Sequence, residues 1–212
     1  MKRHTRKLSS NVCLFLIIAL SFTGCLGRTK VPYSVDRYTL DYERPVIGGL
    51  TSVNEFIRVD RFSVAQSFNS TAMVYKPSQY RFDQYPYGLW IVNPGDLVSD
   101  LLIRDLRDCG LFKGVLRYDA DEPVRYVLQG SIEDFYEADE AASSHAVLHV
   151  SIMIVDKGGK QGHDEPIFQK TYRFEAPLPG RSPGDLAGGL SSAMALFSGG
   201  LIKDLNSFFK AP

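Results

Sequence analysis

Two periods of apolar residues run along the 212-residue chain, and each predicts a different element. In "NPGDLVSDLLIRDLRDCGLF", which starts at residue 93, Leu97, Val98, Leu101, Leu102, Leu106 and Cys109 return at steps of three and four, while Ser99, Asp100, Arg104, Asp105 and Asp108 fall elsewhere. That spacing predicts a helix with one buried face. Asn93 suits its N-cap, Pro94 its first position, Asp96 the positive end of its dipole and Gly110 its stop. A second helix opens on Ser182, Pro183 and Asp185 in the same order, with Leu186, Leu190, Met194, Phe197, Leu201, Leu205 and Phe208 as its stripe. Gly188, Gly189, Ser191, Ser192 and Ala193 would let its first half lie close to another surface, and Gly199-Gly200 offers a place for a kink.

Between the helices the period is two. In "YVLQGSIEDF", residues 126–135, Tyr126, Leu128, Gly130 and Ile132 face one way, and Gln129, Ser131 and Glu133 face the other. "AVLHVSIMIVD" at 146–156 and "IFQKTYRFEA" at 167–176 alternate similarly, joined by the polar loop "DKGGKQGHDEP". These predict antiparallel strands with one covered face. "YTLDY" at 38–42, "FIRVDRFSV" at 56–64 and Val115–Tyr118 have strand composition. "MVYKPSQYRFDQYPYGLWIV" at 73–92 predicts a hairpin turning at Pro77 and Ser78, with Pro77 and Pro86 keeping its strands short or at an edge. The order gives an α/β, or α+β, sandwich: a mostly antiparallel sheet with two helices on one face.

The first residues follow neither period. Lys2, Arg3, His4, Arg6 and Lys7 precede an apolar run from Val12 to Phe22, about half the ~20 residues a membrane-spanning helix needs. A short apolar run behind a basic cap reads as a secretory signal peptide. Phe22-Thr23-Gly24-Cys25 then resembles the bacterial lipobox, with Phe22 in place of the usual Leu. This resemblance implies cleavage between Gly24 and Cys25, a diacylglyceryl thioether on Cys25, and acylation of its new amino group, as with palmitate. Residues 1–24 are thus read as signal peptide, 25–37 as a lipidated tether without periodicity, and 38–212 as one domain. The tether reaches at most about 40 Å at roughly 3.3 Å per residue.

Removing the signal changes both charge and cysteine chemistry. The full chain holds 24 Lys+Arg and 24 Asp+Glu; Lys2, Arg3, Arg6 and Lys7 go with the signal, leaving 20 against 24. A mildly acidic chain without a clustered basic face gives no support for nucleic-acid binding. Cys13 is discarded and Cys25 capped, so the remaining Cys109 has no disulfide partner and reads as a small buried hydrophobe.

Candidate chemistry is sparse. His145 and His149 are four residues apart, about 13 Å on a strand, too far for one ion held at roughly 2 Å. His163 sits beside Asp164 and Glu165 in a solvated loop, so no metal or cofactor is assigned. "GGKQG" at 158–162 lacks the Ser or Thr and the following helix of a phosphate loop. Asp119/Asp121, Glu133/Asp134 and Asp139/Glu140 read as solvated acids, and no Ser/His/Asp arrangement can be assembled. The expectation is a protein that is not an enzyme. The aromatic stretch Tyr75, Tyr80, Phe82, Tyr85, Tyr87 and Trp90 admits a membrane-interface belt, a ligand groove, a protein interface or core packing, with Trp90 the residue most expected to be packed.

"LWIVNPGDLVSDLLIRDLRDCGLFKGV", preceded by "IRVDRFSV" and "MVYK" and followed by "YVLQGSIEDFYE" and "AVLHVSIMIVD", resembles the ABC-type transport auxiliary lipoproteins, including their paraquat-inducible branch. The likeness runs from Tyr38 to Phe209; Tyr87-Gly88-Leu89 departs from the polar or basic residues common there. It implies a fold like the N-terminal domain of TolB. It also implies a noncatalytic outer-membrane subunit facing the periplasm, working in lipid transport with a mammalian-cell-entry (MCE) protein and an ABC permease and ATPase. The outer-membrane lipid itself is a partner through the acyl chains on Cys25, and Leu26 rather than Asp after the cysteine accords with outer-membrane sorting. The resemblance also allows a homo-oligomeric ring. Tyr75, Tyr80, Tyr85 and Tyr87 are the candidate partner interface. A lipid or lipopolysaccharide carrier that binds cargo itself, and an activator of a cell-wall enzyme, are the alternatives.

Overall fold

The computed structural model describes residues 34–139, 143–159 and 163–211. The segment read from the sequence as a signal peptide, with Gly24, Cys25 and the expected tether before residue 34, lies outside the described residues, as does the end of "GGKQG".

Three long strands carry the sheet. β7 (Tyr126–Asp139), β8 (Ser144–Asp156) and β9 (Glu165–Pro177), the last three strands of nine, form an antiparallel meander. In β8, Ala146, Leu148, Val150, Ile152 and Ile154 are at most 1% exposed. Burying a Val, Leu or Ile fully is worth roughly 1.5–3 kcal/mol, so this alternation fixes which face turns inward. His145, His149, Ser151 and Met153 point outward and are half-buried.

The other edge of β7 accepts β2 (Val53–Val59), β3 (Ser63–Val64) and β4 (Ala72–Ser78), each parallel to it. β5 (Arg81–Trp90) runs antiparallel to β4, β1 (Asp36–Tyr38) lies parallel to β5, and β6 (Phe112–Arg117) lies parallel to β2. The result is an open nine-stranded mixed sheet. Its long ladders are antiparallel, as the alternation predicts; the short parallel pairings are additions that local sequence does not signal. Helix α1 (Pro94–Cys109) supplies the crossover that parallel neighbours such as β2 and β6 require.

Both helices pack with the sheet in one hydrophobic core. In α1 the Asn93 side chain accepts the Gly95 N–H at 2.9 Å, and Gly110 ends the helix in the left-handed conformation at φ 68°. Helix α2 (Pro183–Lys210) opens with a reciprocal Ser182–Asp185 capping box and runs as one helix through Gly199 and Gly200. A Cβ on Gly189 would come within 2.7 Å of Ala146 Cβ, so the close approach is made there, whereas Gly188 faces open space. Among the described residues α2 alone is long and apolar enough to cross a membrane, and its stripe is spent on the core.

Local expectations shift where tertiary contacts intervene. "YTLDY" contributes only Tyr38 to a strand, and β1 takes in Asp36 and Arg37. Beyond β1 the chain crosses the helices: the Asp41 N–H donates to Ser191 Oγ at 3.0 Å and the Thr51 N–H to Asn206 Oδ1 at 2.8 Å. Side-chain acceptors thus replace a neighbouring strand. "FIRVDRFSV" divides into β2 and β3, because the intervening Phe62 is buried and its N–H donates to Ser99 Oγ at 2.9 Å. The hairpin turns at residues 79–80 rather than at Pro77 and Ser78, which close β4, and β5 runs ten residues through Pro86. Ser99 and Asp105 of α1, set off the apolar stripe by the sequence pattern, are buried.

Candidate functional site

The β4–β5 hairpin collects the aromatic residues, and the sheet's pleat divides them. Tyr75 and Tyr85 meet at 5.0 Å between ring centroids, and the Tyr85 hydroxyl donates to Glu137 at 2.5 Å. Glu137 is 1% exposed. Burial pushes its carboxyl up from the usual carboxylate range, against the opposing effect of the Tyr85 hydrogen bond, and burial likewise raises the Tyr85 phenol. Trp90 is 1% exposed and meets Phe135 edge-on at 5.2 Å, as expected of the packed residue. Tyr80, Phe82 and Tyr87 remain on the surface, 92%, 47% and 50% exposed.

Phe82 also belongs to a small cluster on the outer face. Its ring meets Phe68 at 5.7 Å and Tyr136 at 5.3 Å, and Lys76 Nζ lies 5.6 Å from its centroid. Beside it is a groove of about 240 Å³ lined by Lys76, Gln79, Tyr136, His145, Arg173 and Glu175. Its charges are largely matched: Arg173 donates to Asp134 at 2.8 Å and to Glu175 at 3.1 Å, and Arg181 holds Asp139 at 2.7 Å. Farther along the same face, His149 Nδ1 lies 3.2 Å from Asp134, and Ser151 bridges Glu133 and Thr171. His145 and His149 are thus separate outward positions on β8. Among the described residues no group of three or more His, Cys, Asp or Glu is placed to hold a metal.

Buried acids are what sequence reasoning missed. The Tyr42 hydroxyl donates to Asp105 at 2.6 Å, and burial followed by that bond raises the Tyr42 phenol. A similar bridge reaches a half-buried acid: the Tyr172 hydroxyl donates to Asp204 at 2.7 Å, tying β9 to α2. Asp105 carried a signal, lying three residues after Leu102 and four before Cys109 on the apolar stripe. Glu137 carried none: a bulge between Ile132 and Asp134 changes the alternation and brings Phe135 and Glu137 inward. Cys109 is half-buried with its thiol pushed up by burial, which accords with a packing role rather than a reactive one.

Fold and surface together define an α+β domain whose assembled chemistry is buried Tyr–carboxylate bridges, a charge-matched outer face and an exposed aromatic hairpin. The chain belongs to the family described as ABC-type transport auxiliary lipoprotein component, whose profile matches residues 38–199. It is accordingly an auxiliary lipoprotein of the cell envelope with transporter subunits as partners. Among solved structures it resembles XCC0632 from Xanthomonas campestris, at 14% identity and a TM-score of 0.74, over 82% of this chain and 97% of that one. An uncharacterized protein is similar at 14% identity and a TM-score of 0.62, over 82% and 99% of the two chains. At such identity these likenesses establish the fold. No curated protein matches the sequence.

Proposed function

We propose that this chain is a noncatalytic docking subunit, anchored in the outer membrane by lipid on Cys25, that holds a periplasm-spanning MCE-domain protein and through it an ABC permease and ATPase. Lipids would pass between the membranes through those partners. The observation that carries the reading is the family match over residues 38–199, standing directly behind a lipobox and a short unpatterned tether. One acyl chain anchors only marginally, at about 0.8 kcal/mol per buried methylene, so several chains on Cys25 supply a durable hold. Leu26 supports sorting to the outer membrane.

The test is crosslinking in intact cells, detergent extraction and affinity purification of the acylated full chain. An MCE protein is expected in the eluate; an eluate holding neither MCE protein nor permease removes the docking role. Cys25→Ala should leave the domain folded yet shift it out of the membrane fraction, and retention there would count against lipid as the anchor. Lipid recovered in molar amount with the unacylated chain would favour a cargo carrier instead.

A further inference from the structure

The sheet also suggests which end of the domain meets the lipid. β1 is parallel to β5, with Asp36 opposite Gly88, Arg37 opposite Leu89 and Tyr38 opposite Trp90. The end of β1 nearest the tether therefore looks along β5 toward the turn at residues 79–80. From Gly88 to Tyr80 is about 26 Å at roughly 3.3 Å per residue. The ten residues between Cys25 and Asp36 span at most about 40 Å when extended. The tether is thus long enough for the hairpin turn to reach the surface that holds Cys25, and short enough to keep the domain near it.

The chemistry of the two ends differs in the same sense. At the turn, Tyr80 is 92% exposed, the largest exposure among the domain's aromatics, with Phe82 and Tyr87 half-exposed behind it. Lys76 makes no ion pair among the described residues; its ammonium lies near the rings of Phe82 and Tyr136 at 5.6 and 5.9 Å. Asp139, at the same end of β7, is covered by Arg181. At the far end of the sheet, around the start of β7 and the end of β8, charges of both signs are exposed: Asp121 and Glu122 lie close in sequence to Arg125, Asp119 pairs with Arg117 at 3.5 Å, and Asp164 with Lys157 at 2.5 Å. Amphipathic rings beside an ammonium suit the headgroup region of a bilayer, where aromatic side chains concentrate.

We propose that the β4–β5 hairpin, through Tyr80 and Phe82 with Lys76 beside them, seats in the headgroup region of the same lipid surface that anchors Cys25. This rests on the lipid-anchor reading above and adds an orientation to it: the hairpin is a second contact with the membrane, and the opposite end of the sheet faces away.

The experiment uses the acylated full chain in vesicles of phosphatidylethanolamine and phosphatidylglycerol, with and without brominated acyl chains. Tyr80→Trp places an indole at the turn, and Glu122→Trp places one at the far end; both positions are exposed, and Trp90 contributes the same buried background to each. Brominated lipid should quench the indole introduced by Tyr80→Trp about twofold or more strongly than the one introduced by Glu122→Trp. Equal quenching in a chain that floats with the vesicles overturns the hairpin contact and leaves the anchor standing. A chain that neither carries acyl mass on Cys25 nor floats overturns the anchor and the orientation together. Equal quenching accompanied by a protein crosslink from position 80 in cells assigns the hairpin to a protein partner.

Discussion

The two ends of β5 are built from the same kind of residue and reach opposite fates. At one end Trp90 is 1% exposed against Phe135, and Gly88 is approached so closely that an added Cβ would lie 2.7 Å from Pro183 at the start of α2. Just before the other, in the turn, Tyr80 is 92% exposed. Between them Tyr85 turns inward to a buried acid while Tyr87, two residues on, stays half-exposed. The lesson is that aromatic composition does not set burial. The irregular pairing between β4 and β5, where Val74 faces Gln84 but Ala72 faces Leu89, decides which rings face the core.

Three substitutions sharpen this contrast along the strand. Trp90→Ala removes the largest ring in the core and should cost about 3–5 kcal/mol, read as a lowered urea midpoint of the full chain. A loss comparable to that of an exposed residue would mean the inner end is not packed as described.

Tyr85→Phe should have an intermediate effect, about 1–3 kcal/mol, because it takes the phenolic donor away from the buried Glu137 carboxyl. The effect should depend on pH. An acid whose pKa is higher in the fold than in the unfolded chain contributes stability that is fully present below its unfolded pKa and is lost as pH rises through its folded value. Since the Tyr85 hydrogen bond opposes the rise, its removal pushes the Glu137 carboxyl higher. Tyr85→Phe should therefore be better tolerated at pH 4 than at pH 7.5 in urea unfolding. A penalty independent of pH would show that Glu137 is not the group responsible.

The smallest stability change belongs to the turn. Tyr80→Ser should shift the unfolding free energy by no more than about 0.5 kcal/mol, since surface substitutions away from packed features rarely do more. A thermal transition coinciding with that of the unaltered chain is the expected record. A loss near that of Trp90→Ala would erase the distinction between the two ends.

How much was legible beforehand follows from the range of each interaction. Both helices were readable to their caps, because Asn93, Ser182, Asp185 and Gly110 act within one turn. The inward face of β8 was readable because its alternation is uninterrupted from Ala146 to Ile154. The segment after Tyr38 was not, because its donors are satisfied by Ser191 and Asn206, some 150 residues away in sequence. Of the candidate interface, the sequence named the tyrosines but could not separate Tyr75 and Tyr85 from Tyr80 and Tyr87.

Sequence by itself determined the family, the helix caps and the long strands, because each is written in neighbouring residues or in an ordered set of short motifs. Tertiary structure alone decided the parallel pairings on β7, the burial of Glu137 and Asp105, and which tyrosines stay outside. Those depend on a bulge and on strand register, and a shift of one residue reverses the face of every side chain that follows.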